Sequence, residues 1–205
     1  MSTRHTPLHA AGDACTTGPA GRAGVVVREM SGADCEAVAA VRVSGWRHAY
    51  AGLIPRSYLE AMDRAADAEW LGARLAAADG TGVVHLVAEA DGELAGWGCC
   101  GPYRGEGGTA DGGEVYALYV RPERIGTGVG RVLMDALVAR AESEGRPALL
   151  LWVLKGNRRA RRFYEKAGFA PDGAEELFEA GGVMVPEVRY RRRLSAAEAA
   201  ADRRG

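Results

Sequence analysis

Gly126, Gly128 and Gly130 follow one predicted strand and open one predicted helix. Glycine lets a backbone approach a ligand closely and adopt dihedrals closed to other residues. A helix N-terminus presents N–H groups without partners and a partial positive charge. Together these make an anion site suited to phosphates. The helix behind the loop is well patterned, with Val129, Val132, Leu133, Ala136, Leu137 and Arg140 on one stripe. A nucleoside-triphosphate loop ends in Gly-Lys-Ser/Thr, whereas Gly130 is followed by Arg131-Val132. A dinucleotide loop carries Gly or Ala where Leu133 stands, and a carboxylate at the end of the next strand, which here reads Trp152-Val153-Leu154-Lys155. Both nucleotide classes fail on particular residues. A Gly-rich turn that merely links strand to helix stays open, because short Gly motifs are weak evidence.

A second segment, Asn157–Phe169, places Ala160, Phe163, Tyr164 and Ala167 at the i, i+3, i+4, i+7 spacing of one helical face. Asn157 is a good N-cap and Gly168 supplies the stop. Phe163 and Ala167 read as ordinary packing, whereas Tyr164 brings a hydroxyl to the core edge, where it needs a partner. The four cysteines, Cys15, Cys35, Cys99 and Cys100, lack zinc-ligand spacing and read as reduced thiols. Cys99 and Cys100 are neighbours on a strand and so face opposite ways. With no Cys or Ser in an activating motif, a covalent enzyme intermediate is not expected.

The elements that must position these residues alternate along the chain. Val25–Arg28 reads as a strand. Ser31 caps a helix that runs to about His48, with Asp34 in the capping-box position. After a break at Leu53–Pro55, a second helical stretch extends to about Ala77. Val83–Glu89 and Glu93–Gly101 flank Asp91-Gly92, a hairpin signal. Pro102–Gly113 is a Gly-rich loop, Glu114–Val120 a strand and Gly128–Glu144 a helix. The apolar run Ala148–Val153 reads as a strand buried on both faces. Asn157–Ala167 is the short helix, and Val183–Arg193, with its charges, reads as a closing edge strand. The order β-α-α-β-β-β-α-β-α-β-β is that of an α/β chain, with an antiparallel meander first and a crossover later.

The strand-loop-helix 114–133 and the helix Asn157–Phe169, in this order and separation, resemble the GNAT superfamily of N-acetyltransferases, and the resemblance covers about Val25 to Leu194. The family loop is written Q/R-x-x-G-x-G/A. Gly128 and Gly130 match it, and Ile125 stands where a cationic or amide side chain is usual, so the grip on an anion should rest on backbone N–H groups. The resemblance implies an α+β fold of GNAT type: a mixed, mostly antiparallel twisted sheet of six to seven strands, flanked by about four helices, with splayed central strands. It implies binding of acetyl-CoA. The pantetheine arm would pair with the backbone of Leu118, Tyr119 and Val120 like an added strand. The pyrophosphate would meet N–H groups of Ile125, Gly126, Thr127, Gly128, Val129, Gly130 and Arg131, and Asn157 and Tyr164 would approach the arm and the sulfur.

The activity implied is transfer of an acetyl group to a primary amine by direct attack in a ternary complex, without a metal. An alkyl amine with a pKa of about 10.4 is only about 0.04% neutral at pH 7, so a base helps. Glu114 matches a glutamate that serves as base in one branch of the family; a solvated glutamate at a strand start is the plainer alternative. Strand alternation puts Glu114, Tyr116, Leu118 and Val120 on one face. Tyr164 matches the family's usual proton donor to the departing thiolate. Trp46, Tyr50, Tyr58 and Tyr116, with the Gly-rich loop, are candidates to line an acceptor pocket, and Trp46 and Tyr50, four apart on a helix, equally suit core packing. Glu106 and Asp111 would attract a cationic amine or simply be solvated.

Composition bounds the partners. The 205 residues are 47% hydrophobic, enough for a core, and a net charge of −1 favours neither nucleic acid nor a membrane surface. With no apolar run of about 20 residues and no signal-like start, the expected location is the cytoplasm. Residues 1–22 read as a flexible tail, 23–194 as the N-acetyltransferase domain and 195–205 as a second tail. A small-molecule amine is the expected acceptor. A peptide or protein amine is the runner-up, to be recognised by an open groove beside Glu114 rather than a closed aromatic pocket. A non-catalytic CoA-binding module is a further alternative. A nucleic-acid surface at Arg189–Arg193 is disfavoured because alternation splits those arginines between faces. Dimers are common in the family.

Overall fold

In the computed structural model, which describes residues 24–77, 80–105 and 111–194, seven strands form one sheet in the order β1-β2-β3-β4-β5-β7-β6. The strands are β1 (Val25–Glu29), β2 (Val84–Ala90), β3 (Glu93–Pro102), β4 (Gly113–Val120), β5 (Ala148–Leu154), β6 (Ala170–Ala180) and β7 (Val183–Arg193). The helices are α1 (Cys35–Ala49), α2 (Arg56–Glu60), α3 (Arg64–Ala76), α4 (Val129–Ser143) and α5 (Arg158–Lys166). Every strand pair is antiparallel except β4–β5. The mostly antiparallel mixed sheet expected from the sequence is therefore the one formed. Cys15, Glu106 and the two terminal stretches read as tails lie outside the described residues.

Local chemistry explains most boundaries. Asp91 and Gly92 take positive φ (54° and 79°), the pair a tight hairpin requires, and they join β2 to β3. Asp34 accepts hydrogen bonds from the backbone N–H and the hydroxyl of Ser31 (2.7 and 2.8 Å) and closes a 3-10 turn that runs into α1. The second predicted helical stretch is two helices, α2 and α3. Asp63 breaks it by capping α3, its side chain accepting from the Ala66 N–H at 2.9 Å.

The sheet carries a core on each face. On one side α4 and α5 cover Leu86, Ala88, Leu149 and Leu151; on the other, α1 and α3 cover Val87, Trp97 and Cys99. Cys99 and Cys100 fall in opposite cores, as alternation requires, and with Cys35 they are buried free thiols. Strand β5 is buried almost throughout. The stripe on α4 is rotated from the one read in the sequence. Met134, Val138 and Ala141 join Val129, Leu133 and Leu137 inside, while Val132 is half-buried and Arg140 faces solvent to pair with Glu144 and Glu29.

Strand β7 corrects another expectation. It lies between β5 and β6, not at an edge. Two of its arginines find partners on the sheet surfaces: Arg189 pairs with Asp172 at 2.8 Å and lies over the Trp152 ring, and Arg192 donates to the Ala167 carbonyl. Strand β6 is the edge.

Strand β3 is rich in glycine because α4 comes close to it. A Cβ on Gly98 would stand 2.9 Å from Leu137 Cδ1 and 3.4 Å from Leu133 Cγ, both in fully buried leucines. Gly98→Val should therefore overpack this contact and cost about 1–3 kcal/mol. Urea denaturation should show a lower midpoint with an unchanged m-value; an unchanged midpoint would mean that α4 does not pack here as described.

Candidate functional site

The site begins with an irregularity in β4. Cys99 pairs with Ala117 and Cys100 with Val115, so Tyr116 is an extra residue bulged out of the β3–β4 ladder. Bulges bend a strand and increase its twist. On the opposite edge, β4 pairs with β5 only at Gly113–Leu149, Glu114–Leu150 and Val115–Leu151. Beyond Val115 the two strands part, and the edge of β4 from Tyr116 to Val120 has no strand partner. The splayed central strands expected from the family resemblance are present. The gap is lined by Tyr50, Val115–Tyr119, Leu151, Trp152 and Tyr164.

The bulge also overturns the expected alternation. Glu114, Tyr116 and Tyr119 line one cavity, whereas Leu118 and Val120 pack with Val115 against the α4 side of the core. One extra residue shifts side-chain parity, so Glu114 and Leu118 do not share a face.

At the far end of the gap, a 3-10 turn at Pro122–Arg124 leads into the glycine loop. Gly126 and Gly128 take φ of 90° and 105°, which only glycine adopts readily. Within the loop, the Ile125 and Thr127 N–H groups are spent on the carbonyls of Pro122 and Arg124 (both 3.3 Å). Arg131 and Val132 are the first donors of the helical ladder, both to the Gly128 carbonyl (3.0 and 3.1 Å). The N–H groups of Val129 and Gly130 therefore precede the ladder at the positive end of α4. Gly130 sits close under Val120 and Phe163, with 3.4 Å available to a Cβ. The neighbouring cations are occupied: Arg124 pairs with Asp91 at 2.7 Å and Arg131 with Asp135 at 2.8 Å.

Helix α5 closes the other wall. Asn157 is buried and caps the helix, its Oδ1 accepting from the Ala160 N–H at 3.1 Å. Tyr164 stands against Phe163 and Phe169, with centroids 5.4 and 6.3 Å away, and burial pushes its phenol above the usual pKa. Tyr50 and Tyr119 line the same gap, and burial raises the pKa of both phenols. Tyr164 lines that gap with them.

Beyond them opens a cavity of about 280 Å³. Its aromatic walls are Trp46, Tyr50, Tyr119, Trp152 and Phe178. Trp46 and Tyr50 pack into the core and line the cavity at once. Tyr58 packs on Trp46 and is not part of the wall, and Asp111 is exposed away from it. Glu114 is 3% exposed, and its carboxylate accepts from the Arg104 backbone N–H (3.1 Å), Nε (3.4 Å) and Nη2 (2.6 Å). The Arg104 guanidinium lies 3.8 Å over the Tyr116 ring, and the Tyr116 hydroxyl donates to the Pro102 carbonyl.

The Gly-rich loop expected at the pocket contributes Tyr103 and Arg104, and the sequence reading missed Trp152, Leu154, Glu176, Phe178, Glu187 and Arg189. The signal for Glu176 and Glu187 was there. Gly181-Gly182 is a hairpin turn, and counting back from the Ala180–Val183 pair sets Glu176 opposite Glu187. Burial first, then the charges of Glu176 and Glu114, push the Glu187 carboxyl up to about 7. Among the described residues, no group of three or more His, Cys, Asp and Glu side chains is arranged to hold a metal, and no helix is long and apolar enough to cross a membrane.

Residues 45–169 match the model of the Acetyltransferase (GNAT) family. The chain is similar to the uncharacterized N-acetyltransferase YuaI of Bacillus subtilis, at 31% identity over 80% of this chain and 90% of that one. It also resembles the mycothiol acetyltransferase of Streptomyces avermitilis, at 36% identity over 45% of this chain but only 29% of that longer protein. Its fold is that of the PaiA N-acetyltransferase from Thermoplasma acidophilum, solved in complex with coenzyme A, with a TM-score of 0.65, 22% identity and coverage of 82% of this chain and 98% of that one.

The raised Glu187 carboxyl has a thermodynamic consequence. The folded protein holds this proton more tightly than the unfolded chain, whose carboxyl titrates at 4.5. The associated stability is present in full below that pH and is lost as pH rises through about 7. Glu187→Gln should remove on the order of 1–3 kcal/mol of the stability difference between about pH 5 and about pH 8 in urea titrations. An equal pH dependence in both proteins would show that Glu187 titrates normally.

Proposed function

The chain belongs to the acetyltransferase (GNAT) family and is an N-acetyltransferase, and from that premise we propose that it moves an acetyl group from acetyl-CoA to the primary amine of a small molecule. The observation that carries the choice of acceptor is the cavity of about 280 Å³ with aromatic walls and carboxylates, which opens where the β4–β5 gap ends. A peptide acceptor would call for an open groove beside Glu114, and that carboxylate is instead buried against Arg104.

The residues present fit acetyl-CoA. The unpaired edge of β4 from Tyr116 to Val120 suits the amides of a pantetheine arm, as in strand addition. The Val129 and Gly130 N–H groups at the start of α4 suit a pyrophosphate, and with Arg124 and Arg131 already paired the grip is mainly by backbone. When bound, acetyl-CoA supplies the activated thioester carbonyl.

The chain's own residues then have separable tasks. Tyr164, standing in the gap, donates a proton to the thiolate as it leaves. Trp46, Tyr50, Tyr116 and Tyr119 shape the acceptor end. Glu114, considered as a base from the sequence, has both oxygens engaged by Arg104, so in this reading it holds that guanidinium against Tyr116 as a wall of the cavity. The amine attacks the thioester directly, with both substrates bound together.

Calorimetry should show CoA binding. Absence of binding at millimolar CoA would end the acetyl-CoA reading. Initial rates with both substrates varied should give intersecting double-reciprocal lines, whereas parallel lines would indicate an acyl-enzyme. Tyr164→Phe should lower kcat by about tenfold or more with little change in CoA affinity; an unchanged kcat would remove Tyr164 from its role.

A further inference from the structure

We propose that Glu187 receives the acceptor's ammonium in the cavity and takes the proton that must leave nitrogen before it attacks. This rests on the acetyltransferase reading above and deepens it by naming the acceptor's chemistry: a cationic primary amine on an apolar or aromatic body.

Among the described residues, one carboxylate in the cavity stands without a counter-charge. Glu187 is on β7, facing the cavity, opposite Leu154 of β5 and Glu176 of β6. Directly opposed like charges across a strand pair destabilise a sheet. The titratable and charged groups that share the cavity with Glu187 come from several elements. Glu176 comes from β6, Glu114 and Tyr119 from β4, Tyr50 from α1, Arg104 from the β3–β4 loop, and Arg189 from β7 itself. Both arginines are committed elsewhere. Arg104 pairs with Glu114 at 2.6 Å, and Arg189 pairs with Asp172 at 2.8 Å and donates to the Tyr103 hydroxyl. Lys155, next to Leu154 on the chain, pairs with Glu175 at 2.7 Å. Among the described residues, no cation forms an ion pair with Glu187. The counter-charge that Glu187 lacks is the substrate's ammonium.

Position and proton affinity agree with this. Glu187 acts electrostatically on both Tyr50 and Tyr119, the residues shared by the cavity and the gap in which Tyr164 stands. An amine held by Glu187 therefore has its nitrogen on the acceptor side of those phenols and the thioester on the other. Burial and the two neighbouring carboxylates keep the Glu187 proton affinity close to neutrality, where a general base works best. The balance is complete: the ammonium loses one proton to Glu187, and the neutral nitrogen forms the C–N bond as the C–S bond breaks. The thiolate takes a proton from Tyr164, and the nitrogen's second proton leaves to solvent as the amide forms. Trp46, Trp152 and Phe178 offer surface to the body of the amine.

The test is kcat/KM against pH, followed by thiol release from acetyl-CoA, using whichever of a panel of alkyl and arylalkyl primary amines turns over fastest. Wild type should show an acid limb near pH 7. Glu187→Gln should lose that limb and about a hundredfold or more in kcat/KM, while CoA affinity by calorimetry stays at the wild-type value and so reports a folded protein. Glu176→Gln should move the limb to lower pH, because it removes a like charge beside the base. A Glu187→Gln enzyme that keeps the limb overturns the assignment, as does a Glu176→Gln enzyme whose limb stays in place. If CoA binds and no amine releases thiol, the amine-acceptor reading falls and the assignment falls with it.

Discussion

The site depends on one interruption of backbone pairing. Strands β4 and β5 are parallel neighbours for three residue pairs and then separate at Val115, next to the bulge at Tyr116. A row of unpaired peptide groups inside a protein is costly unless a ligand or water satisfies it. The unpaired edge of β4 is tolerated because it faces a gap, and the gap is what a strand-like ligand would fill. The same bulge changes the parity of β4, so that Tyr119 turns toward α1 and the cavity while Leu118 and Val120 turn into the core.

The surrounding packing maintains that separation. Gly45 on α1 leaves only 3.1 Å between a would-be Cβ and the Tyr119 ring, and Tyr119 stacks on Trp97 with planes 15° apart. On the opposite face, α4 presses onto Gly96 and Gly98 of β3, which brings its N-terminus beside the end of β4. α5 then fills the space beside α4 and sets Tyr164 in the gap. Small residues in β3 and α1 thus allow two helices to approach the sheet closely enough to shape both ends of one cleft.

Charge in the cavity follows a consistent pattern. Arg104, Arg189, Lys155, Arg124 and Arg131 are each paired with a carboxylate, so the cationic side chains near the cleft are largely neutralised. What remains is Glu187 in the cavity, which pairs with no cation among the described residues, and at the far end of the cleft the Val129 and Gly130 N–H groups ahead of the helical ladder. In the reaction proposed above, the cavity would take the cationic substrate and the helix start the anionic one.

Local signals were legible in the residues themselves. Asp91-Gly92 declared its hairpin because few pairs adopt positive φ in succession. Ala148–Val153 declared a strand buried on both faces, and Asn157 declared a helix start because its side chain satisfies an N–H that the helix cannot. The loop Gly126–Gly130 declared a glycine turn into a helix start, because glycine conformations and helix ends are local properties. The structure decided what depends on distant partners. The stripe on α4 is rotated because the sheet, not the periodicity alone, chooses which turn of the helix to bury. Strand β7 is interior because β6 folds back beside it, and its arginines find Asp172 and the Ala167 carbonyl. The bulge at Tyr116 leaves no mark in composition, since it is a property of the register with β3, and without it Glu114 and Leu118 would be placed on one face. Glu187 becomes a distinctive carboxylate only where β4, β6 and β7 bring Glu114 and Glu176 near it in one cavity, because proton affinity is set by neighbours across space and not by neighbours along the chain.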